Sequence, residues 1–250
     1  MELSLILGMN YWQWILVIFA SLMIGMSRTV SSGLSMIFIP MMAFAFGGRS
    51  SLGVILPLLV FGDIFAVCWY RRQADFRQLL GLIPWTLAGM LAGLAVGGNI
   101  PDSLFKRAIA LVVLVCLVLM FQQDRRNAPV INHSLWIHAV SGLLTGFTTM
   151  IGNASGPIMT VYLLSMGLAK NAFIGTMAWF FLAVNLLKLP LQTFFWKNID
   201  ASTLTLDTLL FPFVALGAFL GLRIAGKIPE KQFRILIYAV SVASVIILLA

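Results

Sequence analysis

The sequence predicts an all-α polytopic membrane protein built from two inverted-topology repeats. Of its 250 residues, 61% are hydrophobic and only 10% are charged, and the mean hydropathy is +1.02. Apolar stretches of about 18 to 25 residues recur along the chain, and each can cross a hydrocarbon core of about 30 Å as a helix. Because these stretches fill the sequence, we expect no soluble domain.

A spaced motif that occurs twice indicates the duplication. In both copies a proline and three glycines are followed by Ile-Pro, an acidic residue and, three positions later, a phenylalanine, and the copies are offset by 128 residues. Two unrelated glycine-rich packing helices would not share this ending, so we interpret the chain as two related halves. The copies are Pro84, Gly89, Gly93, Gly98, Ile100, Pro101, Asp102, Phe105 and Pro212, Gly217, Gly221, Gly226, Ile228, Pro229, Glu230, Phe233.

Each half is predicted to have four to five helical segments, of which the first two are short. At about 15 residues they fall below the roughly 20 that a crossing needs, so we expect broken or re-entrant helices at the start of each repeat. An odd number of crossings would insert the halves in opposite directions. The predicted units are residues 1–122, a cytoplasmic linker 123–134, and residues 135–250. The segments are 11–26, 32–46, 51–70, 79–97, 104–121, 135–151, 154–168, 172–196, 207–225 and 233–250.

Loop charges favour the inverted arrangement, with both termini outside a bacterial inner membrane. Alternating segments place ten basic residues on the cytoplasmic side and four outside, as the positive-inside rule requires. Asp200 and Asp207 are assigned to the outer side with Lys197. The inner set is Arg71, Arg72, Arg77, Arg125, Arg126, Lys170, Arg223, Lys227, Lys231 and Arg234, and the outer set is Arg49, Lys106, Arg107 and Lys197.

Three charged residues, Arg28, Asp63 and Lys188, fall inside predicted membrane segments. A charge at the bilayer centre costs at least about 2.5 to 3.5 kcal/mol, so each needs a partner or a watery cavity. Arg28 either contributes to an anion site or extends to the inner surface from a turn. Lys188 either pairs with Asp63 or contacts substrate or a proton. Asp63 aligns with Asn185 in the other half, and this position is a candidate for ion pairing or proton coupling.

The short segments begin after small polar residues that can cap a helix in each half. Ser31, Ser32 and Gly33 follow Arg28, and they align with Ala154, Ser155 and Gly156 after Asn153. Helix starts have unpaired N–H groups and a positive dipole end, which bind anions. We therefore predict that the two starts converge near the midplane on a substrate site formed by Arg28, Ser31, Ser32, Gly33, Asn153, Ser155, Gly156 and Lys188.

These features resemble the sulfite exporter family called TauE/SafE, whose members have a duplicated domain with a glycine-rich motif early in each half. The corresponding stretches are residues 25–40 and 146–157, and the resemblance covers nearly the whole chain. Where the family often has a run of glycines, this chain has serines and alanine. The resemblance implies secondary transport of small sulfur oxyanions or organosulfonates. An anion channel and a carboxylate permease of the same fold are the alternatives.

Other function classes find little support. An intramembrane serine hydrolase needs Gly-x-Ser and a later histidine, but position 153 is asparagine and no histidine follows His138. Cys68 and Cys116 show no metal-binding spacing, so we expect neither a metal nor a cofactor. The net charge of +8 is explained by inner loops rather than nucleic-acid binding. The expected partners are a small anionic substrate, membrane lipid and, as an open option, a second copy.

Overall fold

The computed structural model describes residues 8–29, 34–70, 74–125, 135–166, 168 and 170–224. Within these residues every regular element is helical, as predicted, and four helices are long and apolar enough to cross a membrane. Ser31, Ser32, Gly33 and the predicted segment 233–250 lie outside the described residues. The elements are α1 Tyr11–Thr29, α2 Ser35–Phe46, α3 Gly48–Tyr70, α4 Phe76–Asn99, α5 Asp102–Arg125, α6 Leu135–Gly152, α7 Gly156–Ser165, α8 Lys170–Pro190, a π-helical turn Leu191–Trp196, and α9 Ala201–Ile224.

The second helix of each half is too short to cross a bilayer alone. Helix α2 has 12 residues and α7 has 10, against the roughly 20 needed for a crossing. Both bury apolar side chains: Phe38 and Ile39 of α2, and Met159 and Leu163 of α7, are fully buried. Both short helices therefore pack against longer ones.

Helix α1 packs along α9, and α6 packs along α4, through glycines that bring the two backbones together. A Cβ at Gly25 would collide with the carbonyl oxygen of Val214, and one at Gly146 would collide with that of Thr86. The glycines are 121 residues apart and their partners 128 apart, so the two contacts occupy matching positions in the duplicated sequence. Each interface joins the first helix of one half to the fourth helix of the other.

The helices in each of these two pairs run in the same direction. From α4 to α6, a Cβ at Gly81 would meet His138, and one at Gly93, three turns later, would meet Met150. From α1 to α9, Gly25 lies against Val214, and Thr29 donates a hydrogen bond to the Ala218 oxygen at 3.2 Å. In both pairs, residues further along one helix contact residues further along the other, so the two helices are parallel.

Helices α3 and α8, the third of each half, run antiparallel along one another. Contacts at the start of α3 involve residues after the end of α8, and contacts after the end of α3 involve residues near the start of α8. Three hydrogen bonds give this order: Asn198 Nδ2 to Arg49 O at 2.9 Å, Asn185 Nδ2 to Asp63 Oδ2 at 2.6 Å, and Asp75 N to Thr176 Oγ1 at 2.8 Å.

The start of α9 corrects one prediction from the sequence. Asp207 was assigned to the outer loop, but α9 begins at Ala201 and Asp207 is fully buried in its second turn. Asp200 caps this helix by accepting hydrogen bonds from Ser202 Oγ at 2.7 Å and Thr203 N at 2.8 Å, and these bonds hold the pKa of Asp200 below its usual range. The first turns of α9 contain polar residues, so the apolar pattern of the sequence begins later than the helix does.

Candidate functional site

A buried ion pair lies where α1 and α3 meet α8. Arg28 Nη1 is 3.3 Å from Asp63 Oδ1, and the exposed fractions of the two side chains are only 7% and 1%. Asn185 of α8 donates a hydrogen bond from Nδ2 to the other carboxylate oxygen at 2.6 Å. The Arg28 guanidinium also lies over the Phe181 ring, 5.0 Å from its centroid. The arginine is therefore held inside the protein rather than extended to the membrane surface.

Lys188 lies one turn beyond Asn185 on α8 and is fully buried. Its Nζ donates a hydrogen bond to Asn153 Oδ1 and a longer one, at 3.4 Å, to Thr149 Oγ1. The pairing of Lys188 with Asp63 that we considered from the sequence is not the contact observed. Among the residues described, the ion-pair partner of Asp63 is Arg28, and Lys188 contacts no carboxylate.

The lysine bonds to an interruption between α6 and α7. Helix α6 ends at Gly152, and Asn153 follows with a positive φ of 53°, a left-handed conformation that asparagine tolerates at a helix end. Helix α7 then starts at Gly156. Asn153, Ala154 and Ser155 are all buried, so the break lies within the protein.

Four polar atoms at this site are buried without a hydrogen-bond partner among the described residues. Asp63 Oδ1 has its ion pair with Arg28 instead. The other three, Arg28 Nε, Asn153 Nδ2 and Ser155 Oγ, can each donate a hydrogen bond. Native interiors rarely leave such groups unpaired, because each costs about 1 to 3 kcal/mol. Unpaired donors beside a lysine that contacts no carboxylate of the described residues have the chemistry of an anion site.

The two halves contribute differently to this cluster. Asp63 and Asn185 occupy equivalent positions, 122 residues apart, and bond directly to each other. The equivalent of Arg28 at an offset of 121 is Thr149, which has no charge and instead accepts a hydrogen bond from Lys188. Each half therefore supplies one buried cation, from the end of α1 in the first half and from α8 in the second.

The structure brings together most of the predicted site residues that it describes. Arg28, Asp63 and Asn185 form one connected group, and Lys188 and Asn153 form another. Ser155 and Gly156 lie at the break that contains Asn153, where Gly156 begins α7 and its oxygen accepts a hydrogen bond from Thr160 at 2.9 Å. Ser31, Ser32 and Gly33 lie outside the described residues.

The sequence reading missed two residues that complete these contacts, Thr149 and Phe181. The repeat offset from Arg28 could have indicated Thr149, because equivalent positions in the two halves line one site. Phe181 has no such signal, since an aromatic residue in an apolar helix is ordinarily a packing residue. Only the helix arrangement identifies it as the ring beneath the arginine.

The helices and the buried charges together define a multi-pass membrane protein with a polar site among its helices. Comparison with protein families identifies it further: the family described as Sulfite exporter TauE/SafE matches residues 17–248, nearly the whole chain. The chain therefore belongs to the TauE/SafE family of sulfite exporters, whose members are membrane transporters and not enzymes. No curated protein matches the chain.

Proposed function

We propose that this chain carries small sulfur oxyanions or organosulfonates across a bacterial inner membrane by alternating access. The binding site would lie between the Arg28–Asp63 pair and the interruption at Asn153 and Ser155. Membership of a sulfite exporter family supports the substrate class. The buried donors at the interruption support an anion as the bound species.

The position of Lys188 is the observation on which this proposal depends most. Arg28 and Asp63 neutralise one another, so Lys188 leaves the cluster with one positive charge when all three residues are ionised. An uncompensated charge in a membrane interior is costly, and a bound anion would remove this cost. Sulfite and sulfonate groups present three oxygens, enough to accept hydrogen bonds from Lys188, Ser155 and Asn153 together.

We further propose that the two halves form an inverted repeat, and the helix directions support this arrangement. Helix α3 opposes α8. Arg49 at the start of α3 donates hydrogen bonds to the Gly97 and Ile100 oxygens at the end of α4, so α4 runs opposite to α3. Gly53 of α3 lies against Asn198, just before α9, and Gly62 lies against Val214 within it, so α9 runs with α3 and α4 opposes α9. Since α6 runs parallel to α4 and α1 runs parallel to α9, α6 also opposes α1. Equivalent helices of the two halves then point in opposite directions, as in many secondary transporters.

The same arrangement supports alternating access. Each glycine interface forms a unit from both halves, one containing α1 and α9 and the other α4 and α6. The antiparallel pair α3 and α8 carries Asp63, Asn185 and Lys188. In our proposal the two units exchange inward-open and outward-open positions around these residues, with both termini outside.

The experiment that tests this function combines ligand binding with counterflow. In a thermal-shift panel with purified protein, we expect sulfite and methanesulfonate to raise Tm, while acetate and chloride at equal concentration do not. Stabilisation by carboxylates alone would favour the organic-acid permease and contradict the sulfur substrate. In proteoliposomes, unlabelled methanesulfonate inside should accelerate uptake of the labelled anion. Large ohmic currents without such acceleration would indicate a channel instead.

A further inference from the structure

Asp207 is a buried carboxyl group that the proposed anion site does not use. It lies in the membrane-spanning helix α9, two turns from the helix start, and is fully buried. Neither carboxylate oxygen has a hydrogen-bond partner in the part of the chain that the structure describes. Buried acidic side chains are normally paired or hydrogen-bonded, so an unpartnered one within a membrane span calls for a functional reason.

The charged groups on the neighbouring helices do not neutralise Asp207. Helix α9 packs against α1 and α3. Of the cations on those helices, Arg28 pairs with Asp63, and the Arg49 guanidinium donates hydrogen bonds to the Gly97 and Ile100 oxygens. The charged or titratable side chains on α1, α3 and α9 are Tyr11, Arg28, Arg49, Asp63, Cys68, Tyr70, Asp207 and Arg223.

Asp207 lies on the same buried face of α9 as Val214, which is close to the ion pair. Leu210 and Val214, three and seven positions later, are also fully buried. Val214 contacts Gly25 of α1. The Val214 side chain also lies where a Cβ of Gly62 would point, and Gly62 is the residue before Asp63. A rise of 1.5 Å per residue puts Asp207 about 10 Å from the level of Val214, toward the end where α9 begins.

We propose that Asp207 is a proton-binding site of the transport cycle, a proposal that rests on the transport function above. The enclosed carboxyl group is protonated, because its ionised form would have neither water nor a partner. When the arrangement that opens at the start of α9 admits water, the carboxyl group exchanges its proton with the aqueous phase on that side. In the opposite arrangement it exchanges a proton with the aqueous phase on the other side, reached through the open anion site. Uptake on one side and release on the other then move one proton with each anion carried.

The two buried acids in the described helices, Asp63 and Asp207, then have different tasks. Asp63 has partners that favour its ionised form, since Arg28 and Asn185 both stabilise its carboxylate. Asp207 changes its protonation state because nothing fixes it in the charged form. This assignment moves proton coupling away from Asp63, which is the position that the sequence suggested.

The test compares Asp207→Asn with wild type in proteoliposomes, with methanesulfonate as the probe. Methanesulfonate stays a monoanion across the working pH range, so a pH effect belongs to the protein. With the membrane potential clamped by potassium and valinomycin, a gradient of two pH units can support about 100-fold accumulation at one proton per anion. We expect wild type to approach this ratio in one gradient direction. We expect Asp207→Asn to exchange the anion but to accumulate it less than about twofold.

The matched control is Asp200→Asn, which changes an exposed acid at the start of the same helix and should keep the wild-type pH response. Accumulation by Asp207→Asn equal to wild type, or no pH response in wild type, would overturn the proposal. Infrared spectroscopy distinguishes failure of the proton-binding proposal from failure of the transport function. Wild type at pH 7.5 should show a protonated carboxyl band that Asp207→Asn lacks, and identical spectra would reject the assignment even if no anion is carried.

Discussion

The variant Asp63→Ala is expected to lose about 3 to 5 kcal/mol of unfolding free energy, because it leaves Arg28 buried without its partner. The Arg28 side chain is only 7% exposed, so water cannot replace the lost carboxylate. Replacing both residues, as Arg28→Met with Asp63→Leu, should recover most of this loss, since no uncompensated charge remains. The measurement is unfolding in mixed micelles, followed by circular dichroism.

A matched control is Lys106→Met, which breaks the exposed contact between Lys106 and Asp102 at 3.8 Å. Exposed pairs contribute at most about 1 kcal/mol, so this variant should unfold close to wild type. If the double variant were as unstable as Asp63→Ala, the loss would come from something other than the unpaired arginine. Anion transport should be absent from the double variant even though it folds, because the ion pair borders the proposed site.

The variant Lys188→Met is expected to weaken binding of methanesulfonate by about tenfold to 150-fold. This range corresponds to the loss of about 1.5 to 3 kcal/mol from one hydrogen bond to a charged group. Methionine keeps the length of the side chain and removes its charge. The measurement is the dependence of Tm on anion concentration, which gives an apparent affinity for each variant.

Stability distinguishes a binding role of Lys188 from a structural one. Because Lys188 contacts no carboxylate among the described residues, removing its buried charge should leave the Tm without ligand unchanged or raise it. The control is Lys197→Met, which removes an exposed lysine just beyond the π-helical turn and should bind like wild type. Wild-type affinity in Lys188→Met would exclude the lysine from the site.

The sequence could indicate which polar residues lie within the membrane segments but not how they pair. A charge inside an apolar segment is visible without coordinates, and the repeat offset aligned Asp63 with Asn185. The partner of Asp63 depends on how α1, α3 and α8 cross, which neither periodicity nor spacing specifies. Arg28 therefore appeared as an independent anion ligand and Lys188 as a pairing candidate, whereas the observed ion pair is Arg28 with Asp63.

For Asp207 the sequence prediction was wrong about where a helix begins rather than about which residues pair. The run from Ala201 to Asp207 contains Ser202, two threonines and an acid, which is typical of a loop. The three hydroxyl side chains bond to residues at the start of the helix instead: Thr205 Oγ1, for example, donates to the Ala201 oxygen at 2.7 Å. With these hydroxyl groups satisfied locally, the segment can form the first two turns of a membrane helix, and these turns enclose the acid.

The central claim is that the two halves run in opposite directions and so bring the Asn153 break and the buried cations to one site. Single cysteines at Ala74 and Lys197, after α3 and after the π-helical turn that follows α8, test it in a background lacking Cys68 and Cys116. With a membrane-impermeant maleimide, we expect Ala74→Cys to react only in inside-out vesicles and Lys197→Cys only in right-side-out spheroplasts. Labelling of both cysteines from the same side would contradict the inverted arrangement.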